Sequence, residues 1–358
     1  MAMIKDVQVL RAIAIIFVVL LHSWMIFPKE YAYIYNSIQP VFHPNTGVEL
    51  FFVLAGYFLA TNLNKLDGLK STSEKVGFML SFSIKKIKRL SPAVYFWISV
   101  PLVMSLVSNN HKLWFTPEQM FQKAFMTYVY LTNFEYPMRP AQLYGHFWAV
   151  ALEMQFFIIY PIIYILLGKR NTLYLTLFVA ALMMVYRPGT ENYWWWFRFD
   201  PMLWGVLCHH VITSYIDRDR LKTETRGVWW KKLFAVIVLM CALGATYTSL
   251  VNFPYFKASA ASLIAIVMLI LALSGNNYFF PLGSWINKPL CWIGDRSFSL
   301  YCCHIPVWMI VKQFYITFGL SQHHMYLAQL AMMIVFAQLT YKYVESILSK
   351  KPSLNKIR

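Results

Sequence analysis

Apolar residues in this chain gather in long, nearly uninterrupted runs at about 8–27, 47–62, 78–107, 146–168, 171–186, 198–215, 232–250, 258–275, 297–319 and 325–347. Runs of that length suit helices crossing a hydrocarbon core of roughly 30 Å, whereas a transmembrane barrel would show segments of about ten residues with alternating polarity. The pattern predicts an all-α, polytopic membrane helix bundle of ten transmembrane helices, organised as a single domain over 1–358. The run at 78–107 contains Lys85-Lys86-Ile87-Lys88-Arg89, so its embedded part is expected to begin near Leu90. Residues 1–27 resemble a secretory leader in outline. No small-residue cleavage site follows His22, however, so a retained first helix is expected. The longest connections, about 28–46 and 108–145, are expected outside the membrane, the second rich in aromatic residues.

Composition agrees with this class. The chain is 59% hydrophobic and 13% charged, against about a quarter charged in soluble domains. Its mean hydropathy is +0.50. A water-soluble protein of this size could not hide so many Phe, Trp, Tyr and Met side chains. The formal charge of +17, from 32 Lys and Arg against 15 Asp and Glu, would suggest a nucleic-acid partner in a soluble chain. In a membrane chain it reports topology, because cytoplasmic loops collect Lys and Arg. With the N-terminus inside, about three quarters of the basic residues fall on the inner side, so both termini are expected to be cytoplasmic and no nucleic acid is expected as partner. The five cysteines lie in or beside apolar runs without zinc-like spacing, and no metal site is expected.

Ionisable groups inside such spans are costly and point to function. Arg11 and His22 are eleven residues apart on the first helix. At 100° per residue they share one face, about 16 Å apart along the axis, with Arg11 near the inner mouth. His22 and Glu153, on the fourth helix, are each placed about 8–10 Å from the outer end of their helices. A carboxylate beside His22 would fix its tautomer and stabilise imidazolium, as a base acting on a hydroxyl requires. Glu49 on the second helix competes for that place, and packing roles for both groups are the plain alternatives. Lys86 and Arg89 belong to a basic cluster that suits either ordinary membrane anchoring or a phosphate clamp. The aromatic run Tyr193–Phe197 reads as an interfacial belt, with Arg198 and Asp200 just inside it, and His304 adds a third intramembrane histidine.

Taken in order, these segments resemble the acyltransferase-3 family of integral membrane acyltransferases over about residues 7–347. Arg11-x10-His22 is similar to the family's first-helix pair, and Gly47–Gly56 to its second-helix signature around the acidic Glu49. Lys86-Ile87-Lys88-Arg89 resembles Arg-x-x-Arg, with Lys86 replacing the first arginine. His146-Phe147-Trp148 through Glu153-x-Gln155 resembles the fourth-helix signature, and Gly294–Pro306, with Tyr301 and His304, resembles a late one. Ala55 stands where the family often has Ser, and Met154 where a second acidic residue is common.

The resemblance implies transfer of an acyl group, commonly acetyl, from cytoplasmic acyl-CoA to a hydroxyl of an extracytoplasmic carbohydrate, in the lipid bilayer of a bacterial inner (plasma) membrane. It implies no bound cofactor, with acyl-CoA (acetyl-CoA) as co-substrate. Arg11, Lys86 and Arg89 would hold the CoA phosphates. His22 would act as base, oriented by Glu153 or Glu49. Glu49, His146, Trp148, Gln155, Arg198, Tyr301 and His304 would form the supporting or acceptor pocket. The chain is expected to be the membrane unit alone, without the esterase-like domain that some members carry. Two other readings stand beside it: a transporter or flippase of a lipid-linked sugar using a buried His/Glu proton relay, and a subunit that binds acyl-CoA without turnover.

Overall fold

The fold is that of a computed structural model of the chain, which describes residues 5–28, 32–135, 143–186, 197–275, 277–279, 284–321 and 323–345. Among these residues there is no strand, and the chain is a multi-pass bundle of helices. The principal ones are α1 (Lys5–His22), α2 (Gly47–Leu63), α3 (Thr72–Val107), α4 (Pro117–Tyr128), α5 (Trp148–Val185) and α6 (Asp200–Tyr215). The series continues with α7 (Trp229–Ser249), α8 (Phe256–Leu273), α9 (Ser284–Asp295), α10 (Ser297–Thr317) and α11 (Met325–Thr340). Each of the ten apolar runs falls on one of these helices. Among the described residues, 7 spans meet the length and apolarity needed to cross a membrane by composition alone. The aromatic run at 193–196 lies outside the described residues.

Three local features follow directly from sequence. The box formed by Ser71 and Glu74 caps α3, which then runs unbroken for 36 residues. That length is about 54 Å, well beyond a hydrocarbon core of about 30 Å, so the early turns carrying Lys75 and Lys85 project past the apolar layer. The runs 146–168 and 171–186 meet at Gly168, where φ is 74° and the helix folds back on itself. Glycine alone adopts that conformation without a Cβ penalty. Tyr160 and Thr176, sixteen residues apart, meet through their hydroxyls at 2.7 Å, which makes α5 a helical hairpin. Asp67 staples its turn, accepting hydrogen bonds from Tyr164 at 2.6 Å and Lys169 at 2.9 Å.

The third feature is close packing of α2 on α6. A Cβ on Gly56 would lie 1.9 Å from the Met202 carbonyl oxygen, and one on Gly205 would lie 2.2 Å from that of Val53. Small residues at facing positions are how membrane helices approach without a hydrophobic drive between them.

One expectation changes. The first helix ends at His22 and passes into a 3-10 turn, Ser23–Met25, rather than continuing to 27. The connection that begins at 108 carries helices of its own over its described residues. Its α4 lies along α3, with Tyr128 bonded to Ser99 at 2.6 Å, Tyr130 bonded to Ser91 at 2.7 Å, and Tyr95 donating to the Tyr128 carbonyl at 2.9 Å. Buried Lys123 and Glu135 pair at 3.6 Å within it. Phenol and hydroxyl groups satisfied against one another let this segment sink against α3, since a buried polar group is tolerated once bonded.

Candidate active site

The structure gathers the candidate residues into three polar clusters. The first surrounds a cavity of about 280 Å³ between α1, α2, α3, α5 and α10. Arg11, Asn62, Lys86, Arg89, Glu153, Ser297 and Tyr301 contribute to its walls, which are otherwise apolar. Lys86 donates to Glu153 at 2.7 Å and its ammonium lies 4.0 Å from the centre of the Phe157 ring. Arg11 and Arg89 form no ion pair among the described residues. The cavity therefore carries two arginines free for an anion and a lysine already balanced by a carboxylate.

The second cluster is aromatic and imidazole-rich. His22 Nδ1 lies 2.9 Å from the Val18 carbonyl oxygen and 3.2 Å from His304 Nε2. His304 Nδ1 lies 2.8 Å from the Tyr301 carbonyl oxygen and 3.2 Å from that of Leu300. The His146 ring stands 4.9 Å from His304 and 6.5 Å from His22, centre to centre. It is buried, without a well-formed hydrogen bond on either ring nitrogen, although the Cys302 backbone lies close. Tyr301 joins the two clusters: it lines the cavity, its hydroxyl donates to the His146 carbonyl, and its ring lies 6.0 Å from His304.

In the third cluster Arg198 pairs with Glu49, both completely buried, and the Tyr247 hydroxyl donates to the same carboxylate at 2.7 Å. Arg198 also stacks against Trp148, whose ring centre is 5.4 Å away.

The expected carboxylate beside His22 is therefore not formed. Glu153 is held by Lys86 and Glu49 by Arg198, so neither of the two carboxylates bonds His22. The physical reason is twofold. Height along a helix axis says nothing about which way a side chain faces, and a carboxylate in a low-dielectric interior is drawn to a cation far more strongly than to a neutral imidazole. Gln155, expected near the acceptor, instead exchanges two amide hydrogen bonds with Asn133, at 3.1 and 2.8 Å, and donates to the Tyr130 carbonyl at 2.7 Å. It ties the folded-in segment to α5 and does not line the cavity. Sequence reasoning passed over Tyr247 and Ser297. Tyr247 sits among Thr246, Thr248 and Ser249, a hydroxyl-rich end of α7 that was the available signal for the first, and the second lies within the Gly294–Pro306 segment without having been singled out. No group of three or more His, Cys, Asp or Glu among the described residues is arranged to hold a metal ion.

The chain is 27% identical over 333 residues to an O-acetyltransferase OatA of Staphylococcus aureus, covering 85% of this chain and 52% of that protein. It is 23% identical over 339 residues to a peptidoglycan O-acetyltransferase OatA of Listeria monocytogenes, covering 86% and 52%. It thus spans about half the length of the curated relatives it matches. No solved structure matches it. The family model described as an acyltransferase domain matches residues 4–342, nearly the whole bundle with all three polar clusters, and on that ground the chain belongs to the acyltransferase-3 family.

Proposed function

We propose that this protein is an O-acetyltransferase that takes an acetyl group from acetyl-CoA on one side of the membrane and delivers it to a carbohydrate hydroxyl on the other. The observation that carries this reading is the cationic cavity walled by Tyr301, with the histidine cluster against the same tyrosine. Its volume of about 280 Å³ is at the small end of ligand sites, suited to a slender pantetheine arm rather than a nucleotide. The nucleotide would stay at the mouth, where Arg11 and Arg89 meet its phosphates and Lys86 can turn from Glu153 to join them.

In the chemistry supported by this layout, His22 takes the proton of the acceptor hydroxyl, whose oxygen attacks the thioester carbonyl. The carbon–sulfur bond breaks, an ester forms, and the departing thiolate of CoA takes up a proton. Glu153 serves to balance charge in the donor cavity. A peptidoglycan sugar is the acceptor class suggested by the name of the Listeria relative. The basic loops favour a bacterial plasma membrane with both termini, and the mouth at Arg11, on the cytoplasmic side.

The test uses the purified protein in liposomes, with isotopically labelled acetyl-CoA on one side and a solubilised peptidoglycan glycan on the other. Mass spectrometry should find labelled acetyl ester on the glycan, absent with His22→Ala. Transport of the sugar without an ester, or binding of acetyl-CoA without turnover, would overturn the proposal.

A further inference from the structure

The histidine cluster contains an arrangement that the proposed reaction leaves unused. We infer that His304 is the positioning residue of His22, holding it in the one tautomer that leaves Nε2 bare, in the place where a carboxylate was expected. This rests on the reading of His22 as the base.

The argument is one of donors and acceptors. Carbonyl oxygens only accept, so His304 Nδ1, facing those of Leu300 and Tyr301, carries its proton. In a neutral imidazole the other nitrogen then has no proton and accepts. His304 Nε2 is thus an acceptor, and it faces His22 Nδ1 at 3.2 Å. On its other side that same Nδ1 faces the Val18 carbonyl oxygen at 2.9 Å, a second acceptor. A bare nitrogen there would meet a lone pair from Val18, and the Nδ1–H form satisfies both neighbours through one shared proton. His22 Nε2 is left without a proton, free to take one from a hydroxyl.

The backbone fixes the chain of inference at both ends. His304 is bonded to carbonyls one turn back on α10, and His22 to one a turn back on α1, so neither ring can flip without losing a bond to its own helix. His304 is fully buried, which makes the loss costly. A neutral acceptor suits this site better than a carboxylate would. Lys123, the cation whose charge reaches His146, is already paired with Glu135 at 3.6 Å, and a buried carboxylate without a counter-charge is strongly disfavoured.

The experiment reads the tautomer directly and the reaction separately. Protein labelled with nitrogen-15 at histidine, reconstituted in lipid, gives distinct shifts for protonated and bare ring nitrogens, and the His22 signals are those missing in His22→Ala. The expected result is a protonated Nδ1 and bare Nε2 in the native protein, a mixture of the two tautomers in His304→Ala, where the Val18 carbonyl is the acceptor left, and the native form in His304→Gln, whose amide oxygen can accept in place of Nε2. In acetyl transfer, His304→Ala should lower kcat by about tenfold or more with KM for acetyl-CoA unchanged, and His304→Gln should recover most of the loss. A His22 protonated on Nε2 in the native protein overturns the inference, as does a His304→Ala protein that keeps the native tautomer or full kcat. The spectrum needs no turnover, so an inactive native protein would fail the proposed function while leaving this assignment to be read on its own.

Discussion

Breaking the Arg198–Glu49 pair tests whether the third cluster is a structural lock or part of the reaction. Both side chains are completely buried, and the Tyr247 hydroxyl donates to the same carboxylate. Arg198→Met leaves the Glu49 charge buried beside the Tyr247 phenol, and Glu49→Leu takes the paired carboxylate from the buried guanidinium. Removing one partner of a buried pair costs about 3–5 kcal/mol, because the other charge is left uncompensated in low dielectric. Replacing both, as in Glu49→Leu with Arg198→Met, removes both charges together. What remains is mainly the loss of the acceptor for Tyr247, about 1–3 kcal/mol. The double variant should therefore be more stable than either single one, with a coupling energy of about 3 kcal/mol or more. The measurement is the midpoint of thermal unfolding in detergent, followed by tryptophan fluorescence and by size exclusion for all four proteins. Single variants that unfold like the native protein, or a double variant as unstable as the sum of the singles, would refute the reasoning. Activity per folded molecule supplies the second arm: it should persist in the double variant, whereas a fall in kcat beyond the folded fraction would place Glu49 in the reaction after all.

Three further predictions follow from named contacts. Gly56→Ala should lower the unfolding midpoint and the yield of folded protein, since the added Cβ meets the Met202 backbone and overpacking costs about 1–3 kcal/mol or more; an unchanged midpoint would show that α2 and α6 separate freely. Lys86→Met, leaving Glu153 negative in the donor cavity, should raise KM for acetyl-CoA by roughly tenfold, Glu153→Gln should lower it, and the pair of substitutions should nearly cancel, all read from initial rates; a loss of kcat in Glu153→Gln with unchanged KM would mean that Glu153 acts in the chemistry. His43, partly buried near Lys257, is held below its ordinary value of 6.5 by burial first and by that charge second. Its unfolded form takes up a proton more readily, so stability is full above about pH 6.5 and declines as pH falls below it, and His43→Gln should flatten that acid limb in unfolding midpoints measured across pH.

The longitudinal order of this protein was legible in its sequence, and its lateral arrangement was not. Run length reports helix length directly, which is why all ten apolar segments fall on helices and why the break near Gly168 was visible. Arg11, Lys86, Arg89, Glu153 and Tyr301 do gather at one cavity, as their positions near one end of their helices implied for the cations. The pairing within the site was another matter. Whether Glu153 faces His22 or Lys86 depends on rotation and tilt of α5 against α1 and α3, which are decided by packing among many side chains at once. The internal contacts of the segment at 108–135 were hidden for a related reason. Its polar groups are satisfied by Ser91, Tyr95 and Ser99 on α3, partners that sequence distance hides.

The glycine hairpin of α5 also acts as a depth gauge. Lys169 and Arg170 sit immediately past the turn and Leu166 just before it is exposed, an order of apolar then basic side chains that suits the boundary between acyl tails and lipid headgroups. From Lys169 back to Glu153 is sixteen residues of helix, about 24 Å, with no slack in a one-residue turn. The charge that balances the donor cavity is in this way measured off from one membrane surface, and a bilayer of altered thickness would shift that whole arm, carrying Glu153 toward or away from Lys86 on a helix anchored independently.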